Sequence, residues 1–290
     1  MKLKDYLAKK GLQPTTVKCY ENYLKRHYFP YFEKKDMALE KVNYTDLLGY
    51  INDLQEKDFS VNYINHILSA VRHYYNFLKS TKQVTKNPAA ELFIKGRVKR
   101  IPHDLFSTEK LEEIYTEFKQ SGIVGKRNKI ILGLIVYQGL SSGELGLLEG
   151  LHLRLREGKI DVPGTSRTNR RTLKLEAHQM IDLQEYQSEI RNLILGITQK
   201  ETARLFTSMG SSYSLNNTLY KMTKSLKKKH PDFKNLKQLR QSRIAIWTKQ
   251  HDIRQAQYLA GHKYVSSTER YQKTNLEDLQ KELDKHHPLR

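Results

Sequence analysis

Little in this 290-residue sequence can form a cross-link: it has one cysteine, Cys19. A single thiol excludes an intrachain disulfide framework and a cysteine-built zinc site, and it suits a reducing compartment. Long apolar runs are missing too. No stretch approaches the roughly 20 residues needed to span a bilayer, and the opening Met-Lys-Leu-Lys-Asp lacks the apolar region of a secretory leader. Acidic residues are scarce, with 31 Asp and Glu against 51 Lys and Arg, a formal charge of +20 and a pI near 9.7. That imbalance implies a polyanionic partner. The absence of an acidic metal-binding cluster counts against metal-dependent nucleases and transposases.

The hydrophobic patterning that is present is mostly helical. Over the first eighty or so residues, apolar side chains recur at helical spacing in four segments. Leu3 to Lys10 is the first, and Gly11 with Pro14 interrupts it. Thr15 or Thr16 opens the second, Asn43 or Thr45 caps the third, and Ser60 starts the fourth. Short loops between amphipathic helices predict a small bundle. Tyrosines interleave there with Lys18, Lys25, Arg26, Arg72 and Lys79, side chains of the kind that contact phosphates. The pattern breaks from Thr81 to about Asp104, where Asn87-Pro88 and the basic run Lys95 to Arg100 predict a linker. The expected division is 1–98, a linker at 99–104, and a second domain at 105–290.

In the second domain Ser107 caps a helix over Glu109 to Phe118, and the apolar helix Lys129 to Tyr137 is expected at the centre of the core. Further helices are predicted over Leu183 to Gly196 and over Asn216 to Lys229. The latter carries Lys221, Lys224, Lys227, Lys228 and Lys229, which are suited to tracking a phosphate backbone. Near the end, Lys237 and Arg240 stand at i and i+3, so a helix places them on one face. Leu259-Ala260-Gly261-His262 follows, then Tyr271. A cation pair, a histidine and a tyrosine within so short a span suit phosphate chemistry. A phenol with a pKa of about 10 needs a cationic field or a base beside it to act as a nucleophile near neutral pH. A guanidinium pairs with two phosphate oxygens at once.

On these residues the chain resembles the tyrosine recombinases, the phage-integrase and Xer-type family. Lys237-Gln-Leu-Arg240 stands where the family has His (or Lys)-x-x-Arg. Leu259-Ala-Gly-His262 stands at its Leu-Gly-His with one extra residue, and Tyr271 keeps the family's offset from His262. The resemblance implies a mainly α fold. Its parts are an N-terminal four-helix core-binding (SAM-like) domain and an α+β catalytic domain with a small three-stranded antiparallel sheet around Lys159 to Leu175. It also implies a site-specific recombinase, with Tyr271 as nucleophile, Arg240 as phosphate clamp, and Lys237 and His262 assisting. The implied partner is double-stranded DNA, gripped by a homotetramer whose C-terminal helix, Asn275 to Lys285, docks on a neighbour. No membrane and no small-molecule substrate are expected. The expected location is cytoplasmic, at the nucleoid when the protein is bound to DNA.

One position departs from the family pattern. Gly139-Leu140-Ser141-Ser142-Gly143-Glu144-Leu145 matches Gly-Leu-Arg-x-x-Glu-Leu except that Ser141 replaces the first catalytic arginine. The turn of the sheet also lacks the family's lysine and offers Arg167, Arg170 and Arg171 instead. Arg167, nearest the turn tip, is the expected substitute, acting as an electrostatic clamp, and Glu144 is expected to buttress a cation. The alternative is a catalytically impaired DNA-binding protein that retains the recombinase fold.

Overall fold

The computed structural model describes residues 2–96 and 104–272. The chain divides into two compact units, Met1–Lys99 and Arg100–Arg290. Most of the expected linker and all of the expected helix at 275–285 lie outside the described residues.

The first unit is helical. Helix α1 spans Leu3–Lys9, and Gly11, at φ +76°, turns the chain away from it. Helix α2, Pro14–Tyr23, begins on Pro14 itself: proline lacks only an N–H that a first helical turn leaves unpaired, so it opens this helix. A π-helical turn, Leu24–Tyr28, joins α2 directly to α3, Phe29–Glu33. Pro30 can donate no hydrogen bond to the turn before it, and a widened turn is one way a helix absorbs that loss. Helix α4, Tyr44–Glu56, is opened by a reciprocal cap between Asn43 and Asp46. Helix α5, Val61–Ser80, is capped by Ser60 and buries Ile64, Ile67, Leu68, Val71, Tyr75 and Leu78.

Tyrosines make up much of this core. Tyr28, Tyr50 and Tyr75 are fully buried, and the Tyr28 and Tyr75 hydroxyls lie 2.5 Å apart. Tyr75 also donates to the Leu39 carbonyl at 3.0 Å. Arg72, one of the cations interleaved with the tyrosines, donates to the carbonyls of Ala89 at 3.3 Å and Leu92 at 2.7 Å. The chain after α5 folds back onto that side chain and uses it as a tie.

In the second unit Ser107 caps α6, Thr108–Thr116, and α7, Gly122–Val136, forms the centre of the core. Every residue from Lys129 to Val136 is buried. Lys129 is tolerated there because its ammonium is received by the carbonyls of Tyr115, Thr116 and Phe118 at the end of α6. Truncating Ile131 or Leu134 to alanine removes several buried methylenes and is worth about 2–5 kcal/mol.

A short helix, α8, Ser142–Leu145, leads into the sheet. Its strands are β1, Leu153–Arg154, β2, Lys159–Val162, and β3, Arg171–Lys174, antiparallel in the order β1-β2-β3. Val162 pairs with Arg171, so Arg171 is the first residue of β3 and the turn runs over 163–170. Helices α9, Ala177–Glu185, and α10, Arg191–Thr198, join through a π-helical turn, Tyr186–Ile190. Helix α11, Asn216–Lys229, keeps its lysines on the exposed side.

Helix α12, Leu236–Gln250, is capped by Asn235 and largely buried. Ile244, Ala245 and Trp247 on α12 form a small apolar cluster with Ala256, Ala260 and Tyr271. Helix α13, Ile253–Ala260, stops at Gly261 in the left-handed conformation, φ +68°. Residues 266–272 are helical and carry Tyr271.

Candidate active site

Glu144 is the centre of the site. Its side chain is wholly buried, and both oxygens are occupied. One oxygen accepts from Nη1 of Arg171 at 2.5 Å. The other accepts from the Ser141 amide at 2.8 Å, the Ser141 hydroxyl at 2.7 Å and Nη1 of Arg240 at 3.3 Å. Burial alone would push this carboxyl up. Arg171 and Arg240 outweigh it and hold the group below the usual glutamate range, so it stays ionised.

Ser141 caps α8: its hydroxyl accepts from the Glu144 amide while Glu144 reaches back to the Ser141 amide. Ser141 therefore serves the backbone and supplies no charge.

Arg240 is fixed by carbonyls as well as by Glu144. It donates to Gly139 and, at 2.7 Å, to Ala260. The chain turns before α8 at Gly139, which has φ +57° and where a Cβ would meet the Trp247 ring at 3.0 Å. Arg171 donates through Nε to the Leu259 carbonyl at 2.7 Å, and its Nη2 is buried with no hydrogen-bond partner. Gly261 makes room for it, since a Cβ on Gly261 would lie 2.4 Å from Nη1 of Arg171.

The sheet turn and the Gly-His segment are laced together. The Asn169 amide donates to the Gly261 carbonyl at 2.8 Å, and Thr168 and His262 form an isolated antiparallel bridge. His262 shares a hydrogen bond of 2.8 Å between Nδ1 and the Thr268 hydroxyl, which leaves Nε2 for reacting groups. Burial, together with Arg240, Arg270 and Arg171, lowers the imidazole pKa to about 4, so it is neutral at pH 7. Its ring is stacked with that of Tyr271, with centroids 6.2 Å apart and planes 18° apart. Tyr271 is 2% exposed, and its phenol lies near enough to Arg240 that a phenolate charge would raise the arginine's pKa.

Of the residues predicted from sequence, Arg240, His262 and Tyr271 are thus brought together around Glu144. Lys237 is exposed on the first turn of α12, one helical turn from Arg240. Arg167 is exposed on the turn between β2 and β3, where its amide donates to the Thr165 hydroxyl at 3.1 Å. Arg171, not Arg167, reaches Glu144. A signal for this was present in the sequence: in Arg171-Thr-Leu173-Lys-Leu175, the alternation of a strand puts Arg171 on the face of two core leucines.

The comparisons with known proteins agree with this architecture. Residues 2–82 match the family model described as phage integrase, N-terminal SAM-like domain. Tyrosine recombinase XerD of Shewanella oneidensis is 26% identical over 290 residues, covering 99% of this chain and 95% of that protein. Tyrosine recombinase XerC of Bacillus licheniformis is 29% identical over 261 residues, covering 87% and 83%. Among solved structures, the XerH site-specific recombinase bound to palindromic difH substrate, a post-cleavage complex, superposes with a TM-score of 0.72 at 18% identity, covering 91% of this chain and 78% of that one. A lambda integrase dimer bound to a COC′ core site gives 0.62 at 16%, covering 92% of each chain. Over residues 2–82 this chain thus matches a SAM-like phage-integrase domain, along its length it is similar to the tyrosine recombinases XerC and XerD, and it shares the fold of the XerH and lambda integrase structures.

Proposed function

We propose that this protein is a site-specific DNA recombinase that cuts and rejoins double-stranded DNA through a covalent bond to Tyr271. The observation that carries the reading is the convergence, within one compact unit, of a phenol, a neutral imidazole and a buried guanidinium. The charge of +20 supplies the affinity for a polyanion.

In the proposed reaction the Tyr271 oxygen attacks the scissile phosphorus. The Oη–P bond forms, the P–O5′ bond breaks, and a 3′-phosphotyrosine and a 5′-hydroxyl result. The phenolic proton passes to His262, whose ring is neutral in the free protein and gains basicity as the phosphate's negative charge arrives beside it. Arg240 binds the non-bridging oxygens as their charge grows. Lys237, an exposed ammonium one turn away, adds charge and gives a proton to the leaving oxygen. Arg167, on the exposed turn, contacts the phosphate backbone beside the cut. A 5′-hydroxyl of a partner strand then reverses the step, giving a Holliday junction. One phosphodiester is exchanged for another at every stage, so no energy-carrying cofactor enters.

Recombining two duplexes requires four strand cuts and so four tyrosines, which makes a homotetramer on synapsed DNA the natural assembly. The test of the reading is a nicked duplex carrying a core site selected by this protein from a random pool. Cleavage beside the nick releases a short fragment, and the covalent complex accumulates with the parent protein. Tyr271→Phe, which lacks the nucleophilic oxygen, gives none. A parent protein that binds the duplex without forming the complex is only a DNA-binding protein.

A further inference from the structure

The clamp that the family builds with an arginine at the position of Ser141 has not been lost here. We propose that Arg171 supplies it, as a catalytic residue that donates through Nη2 to a non-bridging oxygen of the scissile phosphate, beside Arg240. This assignment rests on the recombinase reading and deepens it.

The two oxygens of Glu144 hold Arg171 and Arg240 side by side, so one carboxylate aligns two guanidiniums. Arg171 is anchored through Nε to the Leu259 carbonyl and through Nη1 to Glu144, while Nη2 has no partner despite being buried. A buried donor left unpaired is costly, and it is the nitrogen that a bound oxyanion would satisfy. The close approach of Gly261 to the same guanidinium shows that the chain is shaped around it.

Within the trio of Glu144, Arg171 and Arg240, two guanidiniums share one carboxylate, so the trio itself carries a net charge of +1. An unbalanced buried charge is unfavourable until a counter-charge arrives, and a phosphodiester carries one negative charge. Ser141 cannot play this part, because its hydroxyl and amide are spent on the cap with Glu144. Because the Arg171 side chain is wholly buried, engagement with DNA has to expose it.

The experiment compares two nicked duplexes carrying the selected core site, one with a normal scissile phosphate and one with a neutral methylphosphonate there. Covalent complex formation is measured for the parent and for Arg171→Ala. If Nη2 neutralises phosphate charge, Arg171→Ala slows cleavage of the phosphate about 10²- to 10³-fold, and the penalty shrinks at least tenfold on the methylphosphonate. A merely structural role would impose the same penalty on both. Equal penalties, or no cleavage of the methylphosphonate by Arg171→Ala, overturn the assignment. If Arg171→Ala loses its cooperative melting transition, the same comparison on Arg171→Lys decides, with a smaller penalty that again shrinks on the neutral substrate. A parent protein that forms no Tyr271-dependent complex sinks the recombinase reading itself, and this assignment with it. A parent that does so while the penalties stay equal sinks this assignment alone.

Discussion

Gly261 lies so close beneath the guanidinium of Arg171 that a Cβ on it would come 2.4 Å from Nη1. The same glycine ends α13 with φ +68°, a conformation that costs other residues energy. Both demands fall on one position between the last core helix and His262. Gly261→Ala must therefore strain the backbone and push Arg171 off Glu144. The expected loss of stability is about 2–4 kcal/mol, read as a shift in the urea midpoint, with cleavage falling as well. A shift equivalent to under about 0.5 kcal/mol would show that the contact relaxes freely.

Glu144 holds two guanidiniums that would otherwise repel each other in a buried space. Replacing it with glutamine keeps the shape and removes the charge. Glu144→Gln is expected to cost about 3–5 kcal/mol, the scale for breaking one partner of a buried pair. Denaturant unfolding at pH 7 is the measurement, and a variant as stable as the parent would mean that the ion pairs contribute nothing net.

His262 gives a pH prediction. Its folded-state pKa of about 4 lies below the 6.5 of an unperturbed imidazole, burial being the leading cause. Between those values the unfolded chain binds a proton that the folded chain does not, so this residue's contribution makes stability rise with pH from about 4 to about 6.5. The full effect is at most about 3 kcal/mol. Proton NMR of the imidazole in the DNA-free protein should give a midpoint well under 6.5. A midpoint at or above that value would contradict the crowding of Arg240, Arg270 and Arg171 around the ring.

Arg167 and Arg171 are only a few residues apart, and their predicted phenotypes differ. Arg167 is exposed, so Arg167→Ala should weaken DNA binding across sequences and reduce the slope of log affinity against log salt by about 1, while leaving the cleavage rate of saturated complex within about threefold of the parent. A cleavage loss as large as that of Arg171→Ala would return the clamp to the turn.

Much of the architecture is legible in the sequence because it is set locally. The caps at Asn43, Ser60 and Ser107 and the helix over Asn216–Lys229 follow from side chains close in the chain. Tyr271 and His262 are legible from their spacing. What sequence reasoning places less well depends on distant partners. Which of three neighbouring arginines turns inward is decided by the pairing of Val162 with Arg171, a matter of strand register. The fate of Arg72 depends on the carbonyls of Ala89 and Leu92, which reach it only after the chain has folded back. Pro14 reads as a break and proves to be a helix start, because a proline at the first position costs a helix nothing it would have used.

The most direct measurement is the fate of the Tyr271 oxygen on a nicked duplex bearing the selected core site. Incubated with the parent protein and resolved under denaturing conditions, the duplex should yield a protein–DNA adduct that peptide mapping places on Tyr271, and Tyr271→Phe should bind the same DNA without forming it. An adduct that persists in Tyr271→Phe, or a parent protein that binds and never becomes attached, would contradict the account.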